Sequence, residues 1–158
     1  MDPCEPIPQL LEPVHRTHEI AIPARRYFRP ISPALLSYYS LVYSEYRHAS
    51  EVQLSSWCFD CQTYHAPQRL CLPNFSVAAM ELLLDFLEQT PPPTASLGLL
   101  LDVLHLCGYL AISPGVVSHI VVFYCDFLDI STLLTVCHAL CDNGYPGLAQ
   151  TFSAWLFA

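Results

Sequence analysis

Ser32-Pro33-Ala34-Leu35-Leu36-Ser37-Tyr38-Tyr39-Ser40-Leu41-Val42-Tyr43-Ser44-Glu45 opens with a helix start signal and continues as an almost unbroken apolar run. A serine before the first helical position accepts from an orphan backbone N–H, and a proline at that position lacks the N–H that would be orphaned there. The pair therefore predicts a helix beginning at Pro33 and running to about Tyr46. The run is too apolar on all sides for one core to cover it, so part of it is expected to meet water or a partner.

Working outward, the residues before this helix read as short strands. Leu10 to Val14 and Glu19 to Pro23 flank a polar His15-Arg16-Thr17-His18 turn, and the first thirteen residues carry Pro3, Pro6, Pro8 and Pro13. Beyond the helix, Glu51 to Leu54 and Arg69 to Leu72 are expected strands, with Trp57 to Gln68 as a loop rich in Cys and aromatic residues. Ser76 then caps a run with apolar residues at Ala79, Met80, Leu83, Leu84, Phe86 and Leu87, the spacing of a buried helical face, which Pro91-Pro92-Pro93 ends. Further helices are expected over about 96–111, 114–127, 130–142 and 146–157, separated by Ser113-Pro114, by Asp126 to Asp129 and by the Asn143 to Gly147 turn. Strands early and helices late make an α+β chain.

Composition narrows the function. The 158 residues suit one domain; 53% are hydrophobic and 13% charged, against roughly 25% charged in an average soluble domain, so disorder is excluded and apolar surface beyond one core is expected. The formal charge is −8. All six cations are arginines within the first 69 residues (Arg16, Arg25, Arg26, Arg29, Arg47, Arg69), and from 70 onward there are acids but no Lys or Arg. Binding to nucleic-acid phosphates needs clustered cations, so that class is excluded. The start Met-Asp-Pro-Cys-Glu-Pro has no basic or apolar signal region, and Leu97 to Ile112 and Val116 to Cys125 are interrupted or too short for the roughly 18 residues of a membrane span. A cytoplasmic or nuclear protein with reduced thiols is expected, since Cys107, Cys125 and Cys137 fall within apolar helical patterns.

Catalytic signatures such as G-x-S-x-G, H-E-x-x-H and a Gly-rich phosphate loop are missing, so no enzyme is expected. Cys58-x2-Cys61-x3-His65-x5-Cys71 has the one metal-like spacing. Two readings stand: a tetrahedral zinc site, or a reduced loop without a ligand, which is the default and which leaves Trp57, Phe59 and Tyr64 as a recognition surface. His15 and His18 are expected in solvent, and His105, His119 and His138 are expected as semi-buried helical imidazoles.

The residues from Ser32 to Glu45 resemble the Ser-Pro helix of kelch-type BTB/POZ domains, which ends Phe-Thr-x-x-Met-x-Glu. Cys71-Leu72-Pro73-Asn74-Phe75 with Leu84-Asp85-Phe86 is similar to the strand-to-helix step of Skp-type adaptors and to the Leu-Asp-Phe of BTB domains. Leu106-Cys107-Gly108-Tyr109-Leu110 resembles the family helix ending Ala-x-x-Tyr-Leu. The resemblance implies a flexible 1–9, a BTB/POZ-like domain over 10–127 with an insertion at 55–70, and a BACK-like helical pair over 128–158. It implies an adaptor that docks on a cullin through Tyr39, Tyr43, Glu45 and Tyr109 and presents a target for ubiquitin transfer by the insertion or the N-terminus. A BTB-type oligomerisation or transcription-cofactor module is the alternative. The stretch Ile7 to Glu12 is shorter than the helix that dimeric BTB proteins exchange, which leaves homodimerisation open and brings the start nearer to elongin C and the Skp-type adaptors. Val136, Leu140 and Leu148 either seal the helical body or widen the partner contact. A chain without lysine offers ubiquitin no ε-amino acceptor, so a long-dwelling ligase subunit or a virus-encoded mimic of one would escape modification; base composition or drift is the alternative reading.

Overall fold

The computed structural model of the protein describes residues 18–44, 57–58, 63–64 and 68–155. Its elements in chain order are β1 (His18–Ile22), a 3-10 turn (Pro23–Arg25), β2 (Tyr27–Ile31), α1 (Pro33–Tyr39), β3 (Trp57–Cys58), β4 (Thr63–Tyr64), β5 (Gln68–Cys71), α2 (Val77–Leu87), α3 (Leu97–Leu110), α4 (Pro114–Tyr124), α5 (Ile130–Asp142) and α6 (Pro146–Ala154). The class is α+β. The chain divides into two compact units, one carrying the strands up to Asn74 and one formed by Tyr39–Val42 with Phe75 onward.

In the strand-bearing unit β1 is central, with antiparallel β2 on one side and parallel β5 on the other. Ile20, Ala21 and Ile22 are all buried, so both faces of β1 are covered and its sequence cannot alternate. Its antiparallel partner is the downstream Tyr27–Ile31, where no strand was expected. The upstream Leu10–Val14, the Glu51–Leu54 strand and the 1–9 segment lie outside the described residues. Pro30 disguises β2, because a proline demotes a run to an edge; here it stands opposite Glu19. The 3-10 turn and Arg26, whose φ of 53° is left-handed, reverse the chain between the two strands. Leu72 N–H donates to Ala21 O at 2.8 Å and extends the β1–β5 pairing past Cys71. Arg25 Nε–H donates to Asn74 Oδ1. The expected loop over Trp57–Gln68 is corrected in part: Trp57–Cys58 pairs antiparallel with Thr63–Tyr64, as aromatic and β-branched residues favour.

The helical unit follows its caps closely. Ser76 Oγ accepts from Ala79 N–H at 3.3 Å, Ser96 Oγ from Leu99 N–H at 3.1 Å, and Asp129 Oδ1 from Ser131 N–H at 3.0 Å. Three helix ends share one device. At Gln89, Ala111 and Gly144 the backbone turns left-handed, and the next N–H reaches back to a carbonyl five residues earlier, Thr90 to Asp85, Ile112 to Cys107 and Tyr145 to Leu140. Leu83, Val103, Leu104, Ile120, Val136 and Leu140 are fully buried at the centre of the unit. α3 packs on α2, α4 and α5, and α6 on α5. Val136 and Leu140 therefore seal the body, while Leu148 is half-buried. No helix among the described residues is long and apolar enough to cross a membrane.

Candidate protein-interaction site

The expected long helix is interrupted. α1 ends at Tyr39, Ser40 forms an isolated bridge with Ile112, and helical backbone resumes over 41–44. Hydrogen bonding explains the break. Ser40 Oγ–H donates to Leu110 O at 2.7 Å, Leu41 N–H to Ala111 O at 3.2 Å, and Ser113 N–H to Tyr39 O at 2.8 Å. The last carbonyls of α3 have no partner within their own helix. Segment 39–41 supplies donors to two of them, and continuation of α1 is given up in exchange.

The same helix end is tied from a second side. Tyr145 Oη lies 2.7 Å from Ile112 O and 3.0 Å from Cys107 O, so its proton is shared between two buried carbonyls. Burial and the neighbouring Cys107 push the Tyr145 hydroxyl well above its ordinary range, against the opposing pull of its bond to Ile112. Burial alone raises the Cys107 thiol from 9.0 to about 12. A Cβ on Gly108 would meet Asn143 O at 2.7 Å, which is why the closest approach of α3 to the α5 terminus uses glycine. The end of α3 is a rigid platform.

Two large apolar side chains stand in water on this platform. Leu41 is 61% exposed and Tyr109, in the last turn of α3, is 47% exposed. Tyr109 stacks edge-on against the buried Phe75 at 5.0 Å, and Phe75 packs against His105 at 5.2 Å. The tyrosine therefore has a packed foundation. An aromatic held in this way loses little side-chain entropy when a partner covers it.

The residues singled out from the sequence divide sharply. Tyr109 is exposed, and Tyr39 is half-buried. Tyr43, expected to face a partner, is 0% exposed and is withdrawn as a contact. Across the interruption at Ser40 burial keeps one helical period: Leu36, Ser40 and Tyr43 are buried, while Ala34, Tyr38 and Leu41 are exposed. The signal in the sequence is the 3-4 spacing itself, which puts Leu41 on one face with Ala34 and Tyr38 and Tyr43 on another with Leu36 and Ser40. Glu45 lies outside the described residues, as do Cys61 and His65, and Cys58 is described in backbone alone, within β3. Cys71 ends β5 and is exposed. Among the described residues no group of three His, Cys, Asp or Glu could hold a metal ion. His105, His119 and His138 are exposed, not semi-buried. No family model matches the chain, and no curated protein matches it.

Proposed function

We propose that this chain is a non-enzymatic interaction adaptor of BTB/POZ-like fold that joins a cullin-RING ubiquitin ligase to a target protein. The carrying observation is the exposed pair Leu41 and Tyr109 on the hydrogen-bonded platform at the end of α3. Both lie in the motifs whose resemblance to cullin adaptors is quoted above, and Leu41 takes the anchoring role first given to Tyr43. Tyr39, half-buried, borders the contact, and an orienting carboxylate at Glu45 is what the resemblance implies. Further support comes from the layout: short strands early with a helix interposed, then helices only from Val77 onward, is the order the resemblance implies. In this reading α5 and α6 are the BACK-like pair. The absence of lysine protects a subunit that dwells beside an active ligase.

The test is binding of the purified full chain to a panel of cullin N-terminal regions. One member should bind at micromolar concentration or tighter, and the Leu41→Ala/Tyr109→Ala double variant should bind about tenfold or more weakly, as removal of anchoring side chains does. Circular dichroism checks that the variant is folded. No binding by the native chain, or unaltered binding by the folded double variant, overturns the reading. The second reading, oligomerisation without a ligase, follows if the same pair covers another copy of the chain. A concentration-independent dimer by light scattering, lost in the double variant, would select it.

A further inference from the structure

Between residues 122 and 134 the helical unit presents a second set of large side chains to water. Val122 and Phe123 in the last turn of α4, Leu128 in the following turn, and Ile130 and Leu134 one helical turn apart on α5 are all exposed, Leu128 at 95%. The segment is not loose. Asp126 Oδ1 accepts from Leu128 N–H at 3.0 Å, Asp129 Oδ2 accepts from Thr132 Oγ1–H at 3.0 Å, and Phe123 rests on Tyr124 at 4.7 Å and Phe86 at 6.0 Å. Holding such side chains in water forgoes about 25 cal/mol for each Å2 of apolar area that folding could have hidden. A built turn that displays a leucine is what a docking knob requires.

Charge selects the occupant. Asp126 and Asp129 are exposed within the segment, and no Lys or Arg occurs anywhere from residue 70 to 158. A second copy of this face would bring carboxylates against carboxylates, which opposes a symmetric pairing here. We infer that the 122–134 face docks a basic amphipathic helix of another protein, with Leu128 entering its apolar stripe and Asp126 and Asp129 facing its Lys or Arg residues. The inference concerns a different face from Leu41 and Tyr109 and does not depend on the adaptor reading.

The probe is a fluorescent synthetic helix with Leu at 3-4 spacing and Lys elsewhere, titrated with the full chain by anisotropy. It should bind at micromolar concentration, weaken as salt is raised, and bind about tenfold or more tightly than a Leu/Glu helix of the same apolar pattern or a scrambled Leu/Lys peptide. Leu128→Ser, at a position folding does not cover, should weaken it by about tenfold while leaving circular dichroism and any cullin binding unchanged. Equal binding of the scrambled peptide, equal binding of the acidic helix, no effect of Leu128→Ser, or a native dimer that Leu128→Ser dissolves would each overturn the proposal.

Discussion

The strand-bearing and helical units solve the same problem with opposite reach. In the first, backbone partners lie far apart in the chain: His18 stands opposite Gln68, and Leu72 reaches Ala21. In the second, most partners lie within one helix or one cap; the longer reaches include Tyr124 to Pro92 O and, at the end of α3, Ser40 and Tyr145 arriving from either side in sequence. The units also divide the charge, since every cation precedes residue 70. A local hydrogen bond needs little loop closure, so caps and periodicity suffice to specify helices. A sheet whose central strand pairs with a strand 50 residues further on, as His18 does with Gln68, has no such local signature.

The contrast is broken most directly at its core. Leu104→Ala in α3 should cost about 2–5 kcal/mol, read as a lower urea midpoint, because a fully buried leucine leaves both lost transfer energy and a cavity. A loss well under 1 kcal/mol would mean that α3 is not the centre of its unit. Tyr145→Phe should cost about 1–3 kcal/mol by the same measurement, since it removes the proton shared by two buried carbonyls while keeping the ring.

Two glycine replacements set the units against each other. Ala111 and Arg26 both hold positive φ, at 50° and 53°, one at a helix end and one in the turn between β1 and β2. Ala111→Gly and Arg26→Gly should each raise the melting temperature, by about 1 kcal/mol in stability, as relief of a left-handed L-residue predicts. A gain at only one site would show which turn is relaxed by its surroundings.

The smallest effect is on pH. Burial raises Cys107 to about 12, and burial with nearby Cys137, Asp126 and Asp129 raises Cys125 to about 11, both from 9.0. Above pH 9 the unfolded chain releases these protons while the folded chain keeps them. The stability they contribute is therefore fully present below pH 9 and is lost as pH rises through 11 to 12. Cys107→Ala should flatten the fall of melting temperature between pH 9 and pH 10, and an unchanged slope would remove Cys107 from the account.

The helices from Ser76 onward were legible to within a few residues because Ser76, Ser96, Pro114, Asp129 and Pro146 are start signals that act on the next turn of backbone. The strand β5 was legible, and β1 to within one residue. β2 was hidden by Pro30, and the β3–β4 pair by its brevity. At the candidate site Tyr109 was legible as a family-like position, Leu41 was not, and Tyr43 was misread. The 3-4 spacing of the 32–45 run groups Leu36 with Tyr43 and Tyr38 with Leu41, and the structure decides which of the two groups is covered.

What the amino-acid order alone determined is whatever physics settles within one turn of chain: the caps, the helix spans of the second half, the α+β class and the division of charge. What only the tertiary structure decided is which face of the run around Ser40 is covered and the choice of β1's neighbours. The donor on Ser40 finds its acceptor on Leu110, 70 residues away, and Ser40 lies on the buried stripe with Leu36 and Tyr43 while Leu41 stays exposed. A polar group must be satisfied wherever the fold brings a partner, and local propensity has no knowledge of where that will be.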